Sequence, residues 1–237
     1  MLQKILNIAQ IAQASANSSQ IKNFNTTLPL LLEILQRTKH GYLLKLGNAT
    51  IEAKSNADLQ IGAKYFATLN DKNGELLISN LQKIPKIAES AKNSPIFFAP
   101  KDLEAMGKDF VDKFRDSLLD SAINAKSKDE FLFLSNSLLA LQQGILNLVI
   151  KDRNKRILLQ IKRQKDKKAE FCAVFSNLGI IRGVVFDESI LHLSVGYERV
   201  KKLLENNARE LDFSEVSIAV QENYVLFEMV DEFNMRA

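Results

Sequence analysis

The spacing of apolar residues changes its period along this chain, and that change most constrains the fold. Between residues 41 and 84 apolar and polar side chains alternate, as in the run Tyr42, Leu44 and Leu46. Between residues 101 and 147 apolar side chains recur at helical intervals, and nearer the C-terminus they alternate again. Alternation is typical of half-buried strands, and spacings of three and four residues are typical of helices. The order strands, helices, strands predicts an α+β protein rather than a doubly wound sheet.

The same periods predict four segments. Residues 1–40 are expected to form N-terminal helices, one of them over Leu28–Leu35, where an apolar run follows a capping threonine. Residues 41–84 contain four or five short strands joined by Gly- and Asn-rich turns, which predicts a small β-barrel-like domain. Residues 85–147 are expected to be a helical connector. Residues 148–237 are expected to form a C-terminal α+β domain with a mostly antiparallel sheet and one packed helix.

Individual elements follow from the same patterns. Two connector helices are expected over 101–125 and 131–147, with Ile145 in the apolar stripe of the second. In the C-terminal domain the expected strands are Ile157–Ile161, Phe171–Phe175, Ile180–Phe186, Ile190–Val195, Val216–Val220 and, after a turn at Glu222-Asn223, Tyr224–Met229. The expected helix runs from Tyr197 to Leu211. In the strand Ile190–Val195, the residues Leu191, Leu193 and Val195 should face the core, with His192 and Ser194 on the opposite face.

The residue types needed for catalysis do not cluster in this sequence. It contains two histidines, His40 and His192, and a single cysteine, Cys172, which lies in an apolar run and reads as a buried structural thiol. Nucleophilic triads and metal sites need such groups at defined spacings. The pair Gly179 and Gly183 lacks the lysine and the following helix of a phosphate-binding loop. We therefore predict no catalytic residue, no metal and no cofactor.

The longest apolar run bears on location. Leu138–Ile150 contains polar residues and is too short to cross a bilayer, so no transmembrane segment is expected. The lone Cys172 fits a reducing compartment. Together these features favour a cytoplasmic protein.

A basic stretch between residues 151 and 168 is the strongest charge feature, and it has two interpretations. It can be a solvated hairpin, since Ile157, Leu159 and Ile161 already form the buried side of a strand. It can also contact nucleic acid together with the small barrel, although it contains no aromatic residues on which bases would stack. The basic residues in question are Lys155, Arg156, Lys162, Arg163, Lys165, Lys167 and Lys168.

One segment resembles the C-terminal domain of the flagellar hook-length control family. Ser176-Asn177-Leu178-Gly179 leads into a strand, and a hairpin, an amphipathic helix and a further strand follow. In that family a Pro-x-Leu-Gly element enters the strand; Leu178 and Gly179 match it, and Ser176 stands where the family has proline. The similarity covers residues 171–220. The family's long Pro- and Gln-rich region is not seen here, which is typical of a short or divergent relative.

The resemblance implies a function. The family's domain is thought to contact the cytoplasmic part of the export-gate switch protein and to change which substrates are exported. It implies a non-enzymatic, protein-binding factor of flagellar biogenesis and type III secretion, associated with the flagellar base or export apparatus. The implied partner-binding residues are Asn177, Leu178, Gly179 and Ile180. The alternative from the residues alone is a nucleic-acid-binding protein that uses the small barrel and the basic stretch.

Overall fold

The computed structural model describes residues 7, 8, 11, 28–55, 57–72, 75–103, 107, 109–152 and 155–229. Within them lie two sheets and four α-helices. The strands are β1 Leu30–Arg37, β2 Gly41–Leu46, β3 Ala49–Lys54, β4 Lys64–Lys72, β5 Glu75–Lys83, β6 Ile145–Asp152, β7 Lys155–Arg163, β8 Lys168–Phe175, β9 Gly179–Phe186, β10 Ile190–Val195 and β11 Glu215–Val220. The helices are α1 Lys86–Ser90, α2 Phe110–Ile123, α3 Lys128–Gln142 and α4 Glu198–Asn206. Of the segment expected to form N-terminal helices, most of residues 1–27 lies outside the described residues; residues 7, 8 and 11 are helical.

The first sheet is a closed five-stranded barrel in the order β1-β2-β3-β5-β4, which confirms the predicted barrel-like domain. A parallel contact between Lys54 of β3 and Leu77 of β5 completes the ring. Side chains that alternate along the strands fill the interior, which forms a hydrophobic core of its own. That core comprises Leu32, Ile34, Tyr42, Leu44, Leu46, Ala53, Leu59, Tyr65, Ala67 and Leu69.

The helix predicted over Leu28–Leu35 is wrong, because this segment contributes most of β1. Leu32 and Ile34 point into the barrel, and β1 pairs with β2 on one side and β4 on the other. A short, continuous apolar run fits a buried strand as well as a helix. The barrel decides between them, since without β1 both β2 and β4 would present open edges. The barrel domain therefore begins about ten residues earlier than expected.

The second expected connector helix also ends earlier than its apolar stripe suggests. Helix α3 begins after Ser127, whose hydroxyl accepts a hydrogen bond from Glu130 N at 3.2 Å, and it ends at Gln142. Gly144 then adopts a φ of +74°, and Ile145 is the first residue of β6 rather than part of the helix. Glycine takes this left-handed conformation at no steric cost, so it stops the helix. Residues 145–152 then pair with β7.

Helices α2 and α3, in the segment expected to be a helical connector, pack on the second sheet. Their apolar residues Phe114, Leu118, Phe133 and Leu134 are at most 4% exposed and belong to the same core as the second sheet. The α+β class is confirmed, and these helices form a layer that covers the sheet.

The second sheet has six strands in the order β11-β10-β9-β8-β7-β6. All neighbours are antiparallel except β10 and β11, which are parallel and are connected through α4. As predicted, Leu191, Leu193 and Val195 are buried, while His192 and Ser194 lie on the opposite face. The predicted helix Tyr197–Leu211 is α4 followed by a short 3₁₀ turn, Ala208–Leu211.

Residues 221–229, here called the C-terminal strap, cross one face of this sheet from β10 to β7. Asn223 Nδ2 donates to Ser194 O of β10 and to Ile180 O of β9, at 2.7 and 3.1 Å. The thiol of Cys172 in β8 donates to Tyr224 O at 3.6 Å. Gln160 of β7 accepts from the Leu226 and Phe227 amides and donates to Phe227 O. Buried polar side chains thus fix this segment in an irregular conformation, and the strand expected over Tyr224–Met229 is wrong.

None of the described helices is long and apolar enough to span a membrane.

Candidate functional site

The barrel and the second sheet meet beside a cleft of about 450 Å³, here called the junction cleft. One wall is the end of β5 with the start of α1, and the other is the C-terminal strap with Ile180 of β9. The residues lining it are Gln82, Lys83, Ile84, Pro85, Lys86, Ile180, Glu222, Asn223, Tyr224, Val225, Glu228 and Met229. Three segments that are far apart in the sequence therefore build one concave surface.

The element implied by the family resemblance lies at the base of this junction. Leu178 is fully buried in the core and Ile180 is 2% exposed, while Asn177 is partly buried. Of the implied partner-binding residues, only Ile180 lines the cleft. Partner contact through Asn177 to Ile180 stays a prediction, but the buried side chain of Leu178 stabilises the fold.

Gly179 is required by the backbone at this position. Its φ is +77°, as expected of a residue whose conformation a side chain disfavours. An added Cβ would lie 3.0 Å from Cε2 of Tyr197 and 3.5 Å from Oε1 of Gln82. The turn between β8 and β9 is thus packed between the barrel and the start of α4.

The polar groups in the cleft are only partly satisfied. Gln82 Nε2 donates to Asn223 O at 2.8 Å, which ties the barrel to the strap. In the part of the chain that the structure describes, the buried Oε1 of Gln82 and Oδ1 of Asn223 have no hydrogen-bond partner. Asn223 is 2% exposed. Both atoms are acceptors and both are closed to solvent, so a ligand in the cleft would meet the exposed side chains around them and not these oxygens.

Charges of both signs line the two walls. Lys83 and Lys86 lie on the barrel side, and Glu222 and Glu228 lie on the strap. Glu228 Oε1 accepts from the Ile87 amide at 3.1 Å, which anchors the strap to the start of α1. Tyr224 stands at the rim with 61% of its surface exposed. A hydrogen bond with Glu222 raises the pKa of the Tyr224 hydroxyl.

The basic stretch does not form one surface. Lys155 and Arg163 are at opposite ends of β7, about 26 Å apart at roughly 3.3 Å per residue. Arg156 donates to Lys92 O and Ser94 O, both at 2.7 Å, so its guanidinium stabilises the fold. The predicted residues therefore divide into Lys155 and Arg156 at one end and Lys162, Arg163, Lys165, Lys167 and Lys168 at the other.

At the second end acidic residues accompany the basic ones. Lys167 Nζ lies 3.5 Å from Asp187 Oδ1, and Lys168 Nζ lies over the ring of Phe186 at 5.4 Å. Asp187 and Glu188 line the same shallow cleft as Arg163. Carboxylates in this position repel phosphates, so this end lacks the uniform positive charge of a nucleic-acid surface.

The face of the barrel formed by β2 and β3 offers no stacking platform either. In five-stranded barrels that bind oligonucleotides, strands 2 and 3 carry the binding face. Here the outward residues of β2 and β3 are Leu43, Lys45, Thr50, Glu52 and Lys54. The one aromatic residue of these strands, Tyr42, points inward and its hydroxyl accepts from Leu59 N at 3.0 Å.

Groups with catalytic potential are dispersed. Cys172 is buried, and burial raises the pKa of its thiol to about 12. His192 contacts the hydroxyl of Ser217 and packs its ring against Phe186 at 5.4 Å. The described residues contain no group of three or more His, Cys, Asp or Glu side chains that would hold a metal ion.

Sequence reasoning missed Gln82, Asn223 and Tyr224 as site residues. Each is an ordinary polar or aromatic residue in its own segment, and no local pattern marks it. They are brought together only by the contact between barrel, sheet and strap.

No family model matches the chain, and neither a curated protein nor a solved structure matches it.

Proposed function

We propose that this protein is a non-enzymatic, protein-binding factor of flagellar or type III export, and that it holds its partner at the junction cleft. The resemblance of residues 171–220 to the hook-length control family supplies the partner, which is the cytoplasmic part of the export-gate switch protein. In this proposal the protein acts in the cytoplasm at the export apparatus, on substrate switching or hook-length control.

One observation carries the proposal of the cleft. Tyr224 stands at its rim with 61% of its surface exposed, and aromatic residues are enriched in protein interfaces and among the residues that contribute most to binding. The walls beside it carry lysine and glutamate side chains, and charges of both signs suit a protein partner better than a polyanion.

The experiment compares two aromatic substitutions. Tyr224→Ala should weaken binding of the purified cytoplasmic part of the switch protein by tenfold or more, because tyrosine is enriched among interface hot spots, whose truncation costs about 2 kcal/mol or more. Phe131→Ala is the matched control, since Phe131 is 47% exposed but lies on α3, outside the cleft. Isothermal titration calorimetry gives both affinities, and circular dichroism verifies that both variants fold.

Two results would count against the proposal. The first is equal affinity for the wild type and Tyr224→Ala, which would place the contact elsewhere. The second is tight binding of random-sequence DNA or RNA that weakens steeply with salt, which would favour the nucleic-acid alternative. We expect no such binding, because the basic residues are divided between two ends of β7.

A further inference from the structure

The two edges of the six-stranded sheet differ in how they are covered. At the β6 edge, Phe98 N donates to Val149 O at 2.9 Å and Lys151 N donates to Phe98 O at 2.8 Å. At the other edge, β11 pairs only with β10 in the described part of the chain. An open strand edge is normally protected by lysine, proline, a bulge or a covering segment. Strand β11, Glu-Val-Ser-Ile-Ala-Val, contains neither lysine nor proline.

The outward hydrogen-bonding groups of β11 follow from its register with β10. Glu215 N donates to Ser189 O, and Gln221 N donates to Val195 O. Main-chain groups along a strand point alternately to the two sides. The odd-numbered residues therefore face β10, and the N–H and C=O groups of Val216, Ile218 and Val220 point to the open edge.

From this register we infer that β11 pairs antiparallel with β11 of a second copy of the chain, about a two-fold axis at Ile218. In antiparallel pairs, residues that exchange both hydrogen bonds lie directly opposite each other on the same face of the sheet. Centring the pair on Ile218 places Ile218 opposite Ile218 of the second copy and Val216 opposite Val220. Each outward N–H then meets an outward C=O.

The side chains are self-complementary in this register. Val216 and Ile218 are partly buried and Val220 is 37% exposed, so the pairing extends an apolar row across the dyad. On the other face Ser217 lies opposite Ala219, and Glu215 lies opposite Gln221. No two residues of like charge lie opposite each other. In a two-fold dimer the same patch of each subunit forms the interface, so the patch must be complementary to itself, as β11 is in this register.

The test uses Val220, whose outward amide donates to Val216 O of the second copy. Val220→Pro removes that N–H while leaving the bonds to β10, and proline is tolerated at an outward edge position. Val220→Thr is the matched control, because it keeps the amide and the β-branched shape. We expect sedimentation equilibrium of the full chain to show a monomer–dimer equilibrium. Its dissociation constant should rise at least tenfold in Val220→Pro and about threefold or less in Val220→Thr.

Hydrogen exchange supplies a second readout on the wild-type chain. Amides of Val216, Ile218 and Val220 should exchange more slowly as protein concentration rises through the dissociation constant, because dimerisation covers the edge. A wild-type chain that stays monomeric at every concentration overturns the inference. So does a dimer that both Val220 variants leave unchanged, since the interface would then lie elsewhere.

Discussion

At the residue scale, Cys172 contributes to the fold through both its burial and its hydrogen bond. Its side chain is fully buried between the sheet and the strap, and its thiol donates to Tyr224 O. Burial raises the pKa of the thiol to about 12, because the thiolate would lose its hydration there. The residue is therefore a structural donor rather than a nucleophile.

This environment predicts a loss of stability in alkali. Below about pH 9 the thiol is protonated in both states, whereas between pH 9 and 12 only the unfolded chain releases the proton. Unfolding free energy should thus fall as pH rises, by about 1 kcal/mol between pH 8 and pH 10 from this residue. Cys172→Ser keeps a donor but does not titrate in this range. Urea unfolding at both pH values should show the wild type losing that much more than Cys172→Ser; parallel losses would contradict the assignment.

Gly179 shows why a residue that contacts a partner must be distinguished from a residue that stabilises the fold. Its positive φ and its packing against Tyr197 and Gln82 mean that a larger side chain disturbs the junction itself. Loss of partner binding in Gly179→Val therefore reports on the fold. The exposed Tyr224 is the cleaner probe of contact.

At the scale of elements, the strap depends on Gln160. This residue is fully buried on β7, and its amide satisfies the main chain at Leu226 and Phe227 as well as Oδ1 of Asn147. An irregular segment has no ladder of its own, so its buried N–H groups need such partners. Gln160 is in effect the attachment point of the C-terminal segment.

Gln160→Leu should therefore destabilise the protein by about 3 kcal/mol, because it leaves buried main-chain groups unpaired. Gln164→Leu is the matched control, since Gln164 lies in the exposed turn after β7, where substitutions typically cost less than about 0.5 kcal/mol. Chemical denaturation gives the two values. Hydrogen exchange at Leu226 and Phe227 should accelerate in Gln160→Leu alone; unchanged exchange there would show that the strap is held by other contacts.

At the scale of the whole molecule, the described residues form two hydrophobic cores. The barrel interior forms one, and the second sheet with its helices forms the other. Phe66 is the fully buried barrel residue that joins the second core. Gln82 and Asn223 add a hydrogen bond across the junction.

Separate cores predict separate unfolding transitions. Leu44 lies in the barrel core and Leu191 in the sheet core, and neither is exposed. Each substitution by alanine should cost about 2–5 kcal/mol in its own unit. Differential scanning calorimetry should show two transitions, with Leu44→Ala lowering one and Leu191→Ala the other. A single transition that both variants lower equally would mean that the junction couples the units into one.

The sequence by itself determined the α+β class, the barrel, most strand positions and the faces of β10. These features depend on local periodicity, which reports which side of an element is buried. For these residues, neighbours in sequence carry the information.

Only the tertiary structure decided whether Leu28–Leu35 was helix or strand, where α3 ended, and how the basic residues were distributed. A continuous apolar run has no period that separates the two structures, so barrel closure made the choice. Basic residues that are close in sequence, such as Lys155 and Arg163, lie at opposite ends of β7 because the strand is extended. The junction cleft brings together Gln82, Ile180 and Asn223, and no local pattern encodes contacts between segments so far apart.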